Sequence, residues 1–163
     1  MRDRARPLYA PDMKQPTYRI VPLRTEVADA ARRGLAAGAA DHVLVNADSP
    51  QGYPCRHWGK PGEQMILFPF DAVGDGPYQE RGPIFVHAEP CTRYSETDSY
   101  PAEFRDGRVI RAYDARKFII DAHVVNGEGL EAAIENLLQN PDAAFLHVRS
   151  ATRGCYTLGV ERV

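Results

Sequence analysis

Short runs of strand character supply most of the regular elements of this chain, and only two stretches repeat their apolar residues at helical spacing. The strand-like runs are Tyr18–Val21, His42–Val45, Gln64–Phe70, Pro83–His87, Arg108–Tyr113, Phe118–Val125, Ala144–Arg149 and Cys155–Glu161. Most are rich in β-branched or aromatic residues and bounded by Gly, Pro, Asn or Asp. One helix opens at Thr25, a candidate N-cap, with Val27, Ala31 and Leu35 on one face; Gly34 and Gly38 weaken its end. The other carries Leu130, Ile134, Leu137 and Leu138 as an apolar stripe and stops at Asn140-Pro141. Strands and helices do not alternate as βαβ units. The pattern predicts an α+β fold, a largely antiparallel or mixed β-sheet with two main helices packed on it.

Finer expectations follow from local chemistry. Gln64–Phe70 lacks alternation, which predicts a strand covered on both faces, with Pro69 at its end, an edge or a bulge. Residues 92–106 carry no periodic signal. Ser150 to Gly154 reads as the loop of a terminal hairpin. Symmetric closure would set Arg149 opposite Cys155 and His147 opposite Thr157, with Phe145, His147 and Arg149 on one face and Leu146 and Val148 on the other.

The 163 residues suit one domain. Pro7, Pro11 and Pro16 mark residues 1–17 as an extended arm, leaving 18–163 as a single α+β domain. A net charge of −2 with mixed signs lacks the basic clustering of a nucleic-acid footprint. Arg2, Arg4 and Arg6 read as a solvated arm. No apolar stretch approaches the ~20 residues that cross a bilayer, and Met1 to Pro7 lacks the apolar core of a secretory signal. A cytoplasmic protein with reduced thiols is expected, and an odd count of three cysteines argues against a disulfide framework. Oligomeric state is not legible.

Two groups of residues could carry chemistry. Cys55, His57, His87 and Cys91 supply two thiols and two imidazoles, a donor set that suits tetrahedral zinc. They lack the C-x-x-C spacing of a strong zinc motif, and burial of the cysteines as small hydrophobes is the plainer reading. A shared polar pocket stands between these two. The second group is His147, Arg149 and Cys155. A guanidinium beside Cys155 would favour its thiolate, and His147 could act as a base; a surface Arg and a packed Cys explain the same residues. Arg111 and Tyr113 share a strand face that could hold an anion, and Asp121 with His123 reads as the polar side of a half-buried sheet. No phosphate-binding loop, H-E-x-x-H or G-x-S-x-G occurs; Gly127-Glu128-Gly129 is too short for a dinucleotide fingerprint.

The blocks Tyr53-Pro54-Cys55-Arg56-His57, Pro77-Tyr78, Gly82 to His87, Ala88-Glu89-Pro90-Cys91, Leu146 to Arg149 and Gly154-Cys155-Tyr156, in this order, resemble the bacterial family called domain of unknown function 1203. The resemblance runs from about Tyr18 to the C-terminus and implies a small single-domain protein without an assigned activity. In the family's first block a cysteine commonly follows the Arg-His pair, where this chain has Trp58, and that substitution moves weight away from zinc.

The expected function is a non-catalytic binding or regulatory module for a small anionic molecule, with His57, His87, His147, Arg149 and Cys155 as candidate ligand-binding residues and no cofactor. One alternative is an enzyme using Cys155 or Cys55 as nucleophile with a histidine base. The other is a structural zinc site at Cys55, His57, His87 and Cys91.

Overall fold

The computed structural model describes residues 17–47 and 59–163. Along the chain run β1 (Tyr18–Val21), α1 (Thr25–Ala36), β2 (Val43–Asn46), β3 (Gln64–Asp71), β4 (Arg81–His87), a 3₁₀ turn at Ala102–Phe104, β5 (Arg108–Tyr113), β6 (Ile119–Val125), α2 (Leu130–Gln139), β7 (Phe145–Ser150) and β8 (Tyr156–Arg162). Among the described residues every strand pairing is antiparallel. The α+β expectation therefore holds, with the strands divided between a five-stranded sheet, ordered β1-β8-β7-β5-β6, and a three-stranded sheet, ordered β2-β3-β4.

Period-two alternation gives the larger sheet two unlike faces. Ile110, Ala112, Leu146, Val148, Leu158 and Val160 point to one side and meet the α2 stripe of Leu130, Ile134, Leu137 and Leu138. Full burial of each such aliphatic side chain contributes roughly 1.5–3 kcal/mol. Tertiary packing of this kind holds a helix of 10 residues, too short to persist alone in water. The smaller sheet has its own core, in which Ile66, Phe68, Ile84 and Val86 pack against Leu23, Ala28 and Ala31. Met65 and Ile66 are both buried although they face opposite ways, as expected of a central strand.

Some local expectations are corrected. Thr25 is the first residue of α1, not its cap; Arg24 occupies the N-cap with extended dihedrals and no side-chain capping bond. The helix also continues through Gly34 to Ala36, because a close approach needs that glycine. A Cβ on Gly34 would lie 2.6 Å from Nε2 of His42, whose ring stacks on Phe68 at 5.5 Å. Pro69 lies inside β3, opposite Pro83 of β4. Pairing with β2 stops at Leu67, so the missing N–H of Pro69 leaves no ladder bond unmade.

The terminal hairpin closes asymmetrically. His147 faces Gly159 and Val148 faces Leu158, but Arg149 then pairs with Tyr156 across a bulge. One extra residue on β8 re-aims the side chains before it. Tyr156, not Cys155, thereby becomes the neighbour of Arg149, while the Ser150 N–H donates to the Cys155 carbonyl at 3.0 Å.

Candidate functional site

The face of the larger sheet turned away from α2 collects polar and aromatic side chains instead of aliphatic ones. Strand pairing sets Arg111 beside His147 and Tyr113 beside Phe145, and the β8 bulge adds Tyr156. The His147 ring lies 5.0 Å from both Tyr113 and Phe145 and meets Tyr156 edge-on at 4.9 Å. Phe70, from the smaller sheet, reaches Tyr156 at 5.7 Å and ties the two layers together.

Charge in this cluster is held mostly out of water. Arg149 is only 2% exposed; its Nη1 donates to Glu80 Oε1 and to the Gly154 carbonyl, each at 3.0 Å. The other Glu80 oxygen accepts from Arg111 at 3.5 Å. Two guanidiniums thus share one carboxylate, leaving a net positive charge on this face. Burial first, and then Arg149 and Arg111, push the His147 imidazole down to about 3, so it is neutral across the physiological range. Burial also holds the Tyr156 hydroxyl above its ordinary range, with Arg149 and Arg93 acting the other way.

Three buried polar atoms of this cluster have no hydrogen-bond partner among the described residues: Tyr113 Oη, His147 Nδ1 and Arg149 Nε. Buried polar groups are nearly always paired. All three of these atoms belong to residues on one sheet face.

A cavity of about 360 Å³ opens between the two sheets, and of these three residues His147 lines it. Its walls come from the β1–α1 turn (Val21 to Arg24), the end of β3 (Phe70 to Gly74), and Phe145, His147, Tyr156 and Gly159. Arg93 fastens the rim by donating to the carbonyls of Pro22 at 2.7 Å and Leu23 at 3.0 Å. Gly159 keeps the floor open. A Cβ there would stand 3.3 Å from Val21 Cβ, tighter than ordinary packing, and 3.4 Å from the Tyr156 hydroxyl, at the limit of ordinary contact. Gly159→Ala is expected to cost about 1–2 kcal/mol through overpacking, measured by urea unfolding, and to displace the Tyr156 ring, visible in its aromatic NMR shifts. Unchanged stability and shifts would show that the floor yields freely.

A second cluster forms where β4 ends. His87, 6% exposed, lies with Nε2 at 3.3 Å from Glu63 Oε2 and with Nδ1 at 3.6 Å from Cys91 Sγ. Arg32 of α1 crosses above, donating to the carbonyls of His87 and Glu89 and reaching the same sulfur at 4.0 Å. Cys91 is disulfide-bonded, which corrects the expectation of wholly reduced thiols. A sulfur in that state carries no thiolate charge for zinc.

The candidate residues are thus distributed over two places. His147 and Arg149 share one face, joined by Arg111 and Tyr113. His87 and Cys91 stand together on the other sheet with partners of their own. Cys155 is a free thiol at the hairpin loop with its Sγ toward the Arg153 carbonyl at 3.7 Å; the bulge removes it from its expected place opposite Arg149. Cys55 and His57 lie outside the described residues. Asp121 accepts the Ala122 N–H instead of pairing with His123. Glu80, Tyr156, Phe70, Glu63 and Arg32 were not singled out by sequence. Only the long-range fold brings them in, and Glu80 meets Arg149 across 69 positions.

A family model described as Protein of unknown function (DUF1203) matches residues 52–162, a shorter span than the resemblance from Tyr18 had implied. It takes in β3 through β8 and both clusters apart from Arg32. No curated protein and no solved structure matches the chain. With the greater part of its length matched, this chain belongs to the DUF1203 family.

Proposed function

We propose that the protein is a binding module for a small, partly apolar molecule with an anionic or hydrogen-bond-accepting group, seated in the cavity between the two sheets. The observation that carries this reading is the unpaired Nδ1 of His147, which lines the cavity, with unpaired Tyr113 Oη and Arg149 Nε on the same sheet face. Behind His147 the guanidiniums of Arg149 and Arg111 outweigh the one Glu80 carboxylate, which favours an anionic group on that side of the cavity; Asp71 and Glu161 are the carboxylates that line it elsewhere. Phe70, Phe145 and Tyr156 with the aliphatic wall residues would take the apolar part. The volume lies within the ~300–1,000 Å³ usual for small-molecule clefts.

Binding is favoured over catalysis at this site by the state of His147. An imidazole whose pKa lies near 3 is a poor general base at neutral pH, and Cys155 does not face it. Ligand-detected NMR and calorimetry with benzoate, benzamide and inorganic phosphate as probes test the reading. Benzoate is expected to bind saturably and more tightly than benzamide or phosphate, and Arg111→Gln to weaken it by about tenfold, roughly 1.4 kcal/mol. Failure of all three probes to bind at millimolar concentration would remove the support for this reading.

A further inference from the structure

An unpaired strand at the edge of a sheet offers its backbone groups to other chains, and β6 forms one edge of the larger sheet. The opposite edge is already engaged, because the Ile20 N–H of β1 donates to the Thr97 carbonyl at 2.6 Å. Along Ile119–Val125 the backbone bonds among the described residues run to β5. Ala122 shows which groups are left over. Its N–H donates to Oδ1 of Asp121, its own neighbour in the strand, at 2.7 Å, so it is aimed away from β5. In an antiparallel strand both backbone groups of a residue point the same way, and the direction alternates along the chain. Ala122 and Val124 therefore turn their N–H and C=O outward. The side chains along this edge do little to block pairing: Val124 is 71% exposed and Ile120 36%, and Ile119–Val125 holds neither Lys nor Pro. Asp121 and His123 lie opposite Ala112 and Ile110 of β5, so both share the sheet face that carries α2. Asp121 is engaged with the Ala122 N–H, and His123 has no hydrogen-bonding or ionic partner among the described residues.

We propose that β6 pairs antiparallel with β6 of a second copy of this chain, about a twofold axis at Ala122. The run Ile119-Ile120-Asp121-Ala122-His123-Val124-Val125 is complementary to itself about that residue. The axis sets Ala122 against the partner's Ala122, Asp121 against the partner's His123, and Val124 against the partner's Ile120. Each Ala122 N–H then donates to the partner's Ala122 carbonyl. That releases the Asp121 carboxylate to the imidazole opposite, on the same face and about 5 Å away at Cβ. Two acid–base pairs form, one on each side of the axis. The neighbouring registers would instead set Asp121 against the partner's Asp121, or His123 against the partner's His123, so charge selects the register. A twofold contact uses the same patch on both copies and closes on itself, which makes a dimer and not a fibre. The bulge that leaves Ile120 without a β5 partner ends the regular ladder there, so the contact is short and the dimer reversible.

Sedimentation velocity of the full chain, from low to high micromolar concentration, tests the pairing. A monomer–dimer equilibrium is expected. His123→Asp puts like charges opposite each other twice and is expected to weaken the dimer by ~10-fold. The double exchange Asp121→His with His123→Asp restores opposite charges, and its dissociation constant is expected within roughly threefold of the parent value. Val124→Lys changes a side chain that the monomer already leaves in water, so it is expected to keep the monomer folded and to abolish the dimer over this range. In the unsubstituted protein, hydrogen exchange at the Ala122 amide is expected to slow as concentration rises. Three results would each overturn the proposal: a chain that stays monomeric throughout, a dimer indifferent to both His123→Asp and Val124→Lys, or a folded double exchange no better than His123→Asp alone. Should the charge variants fail to fold by circular dichroism, Val124→Lys and the exchange of the Ala122 amide decide.

Discussion

Acid is expected to unfold this protein through His147 well before its carboxylates are exhausted. The imidazole titrates near 3 in the folded chain, because burial and the charges of Arg149 and Arg111 oppose its protonation. An unfolded chain leaves it near ~6.5. Between those values the unfolded state holds the extra proton, so stability is complete above about pH 6.5 and falls as pH drops towards 3. The slope approaches about 1.4 kcal/mol per pH unit, a loss of roughly 3 kcal/mol by pH 4. Urea midpoints measured from pH 7.5 to 4 should show it, and His147→Gln should flatten the profile in this window. Glu131 and Asp71 also lose stabilising interactions in acid. Arg105 holds Glu131 below its usual range; for Asp71, burial pulls upward but the bonds from Gln79 and the Gly74 N–H prevail. Their share survives in His147→Gln, so the difference between the two profiles isolates the imidazole. Parallel profiles would mean that His147 takes up its proton in the folded state.

Glu80→Ala is expected to be the most damaging single change on the same face. It leaves Arg149 buried, with the Gly154 carbonyl as its remaining partner, and leaves Arg111 without its counter-charge. Breaking a fully buried pair by removing one member costs about 3–5 kcal/mol. Glu80 keeps 46% of its side chain in water, so roughly 2–3 kcal/mol is the expected cost here. Chemical denaturation of the variant gives the number. The same change should tighten benzoate binding several-fold, because an added anion then meets two uncompensated guanidiniums. Lower stability with tighter anion binding separates a built anion site from a merely structural ion pair. Weaker binding in a folded variant would show that the anion does not reach these charges.

The C-terminal strand shows how far local sequence carries. Phe145-Leu146-His147-Val148-Arg149 alternates with period two, so the sharing of one face by His147 and Arg149, and the pointing of Leu146 and Val148 into the α2 core, could be read without a structure. The apolar stripe of α2 and its stop at Asn140-Pro141 were legible for the same reason: spacing along a helix is a local property. Caps and registers were less so. Thr25 was one position out because the residue before it already had extended dihedrals, and the β8 bulge exchanged Cys155 for Tyr156 opposite Arg149.

By itself, then, the sequence determined the fold class, the two helices, the strand runs and the face on which His147 and Arg149 lie. All of these follow from backbone periodicity over a few residues. Only the tertiary structure decided that the strands divide into two sheets with a cavity between them and that Glu80 bridges Arg149 and Arg111. It alone brought Arg32 and Glu63 to His87 and Cys91, and it kept that pair apart from His147. These are contacts between residues far apart in the chain. They form because packing of apolar faces brings distant polar groups together, and no local spacing records which ones will meet.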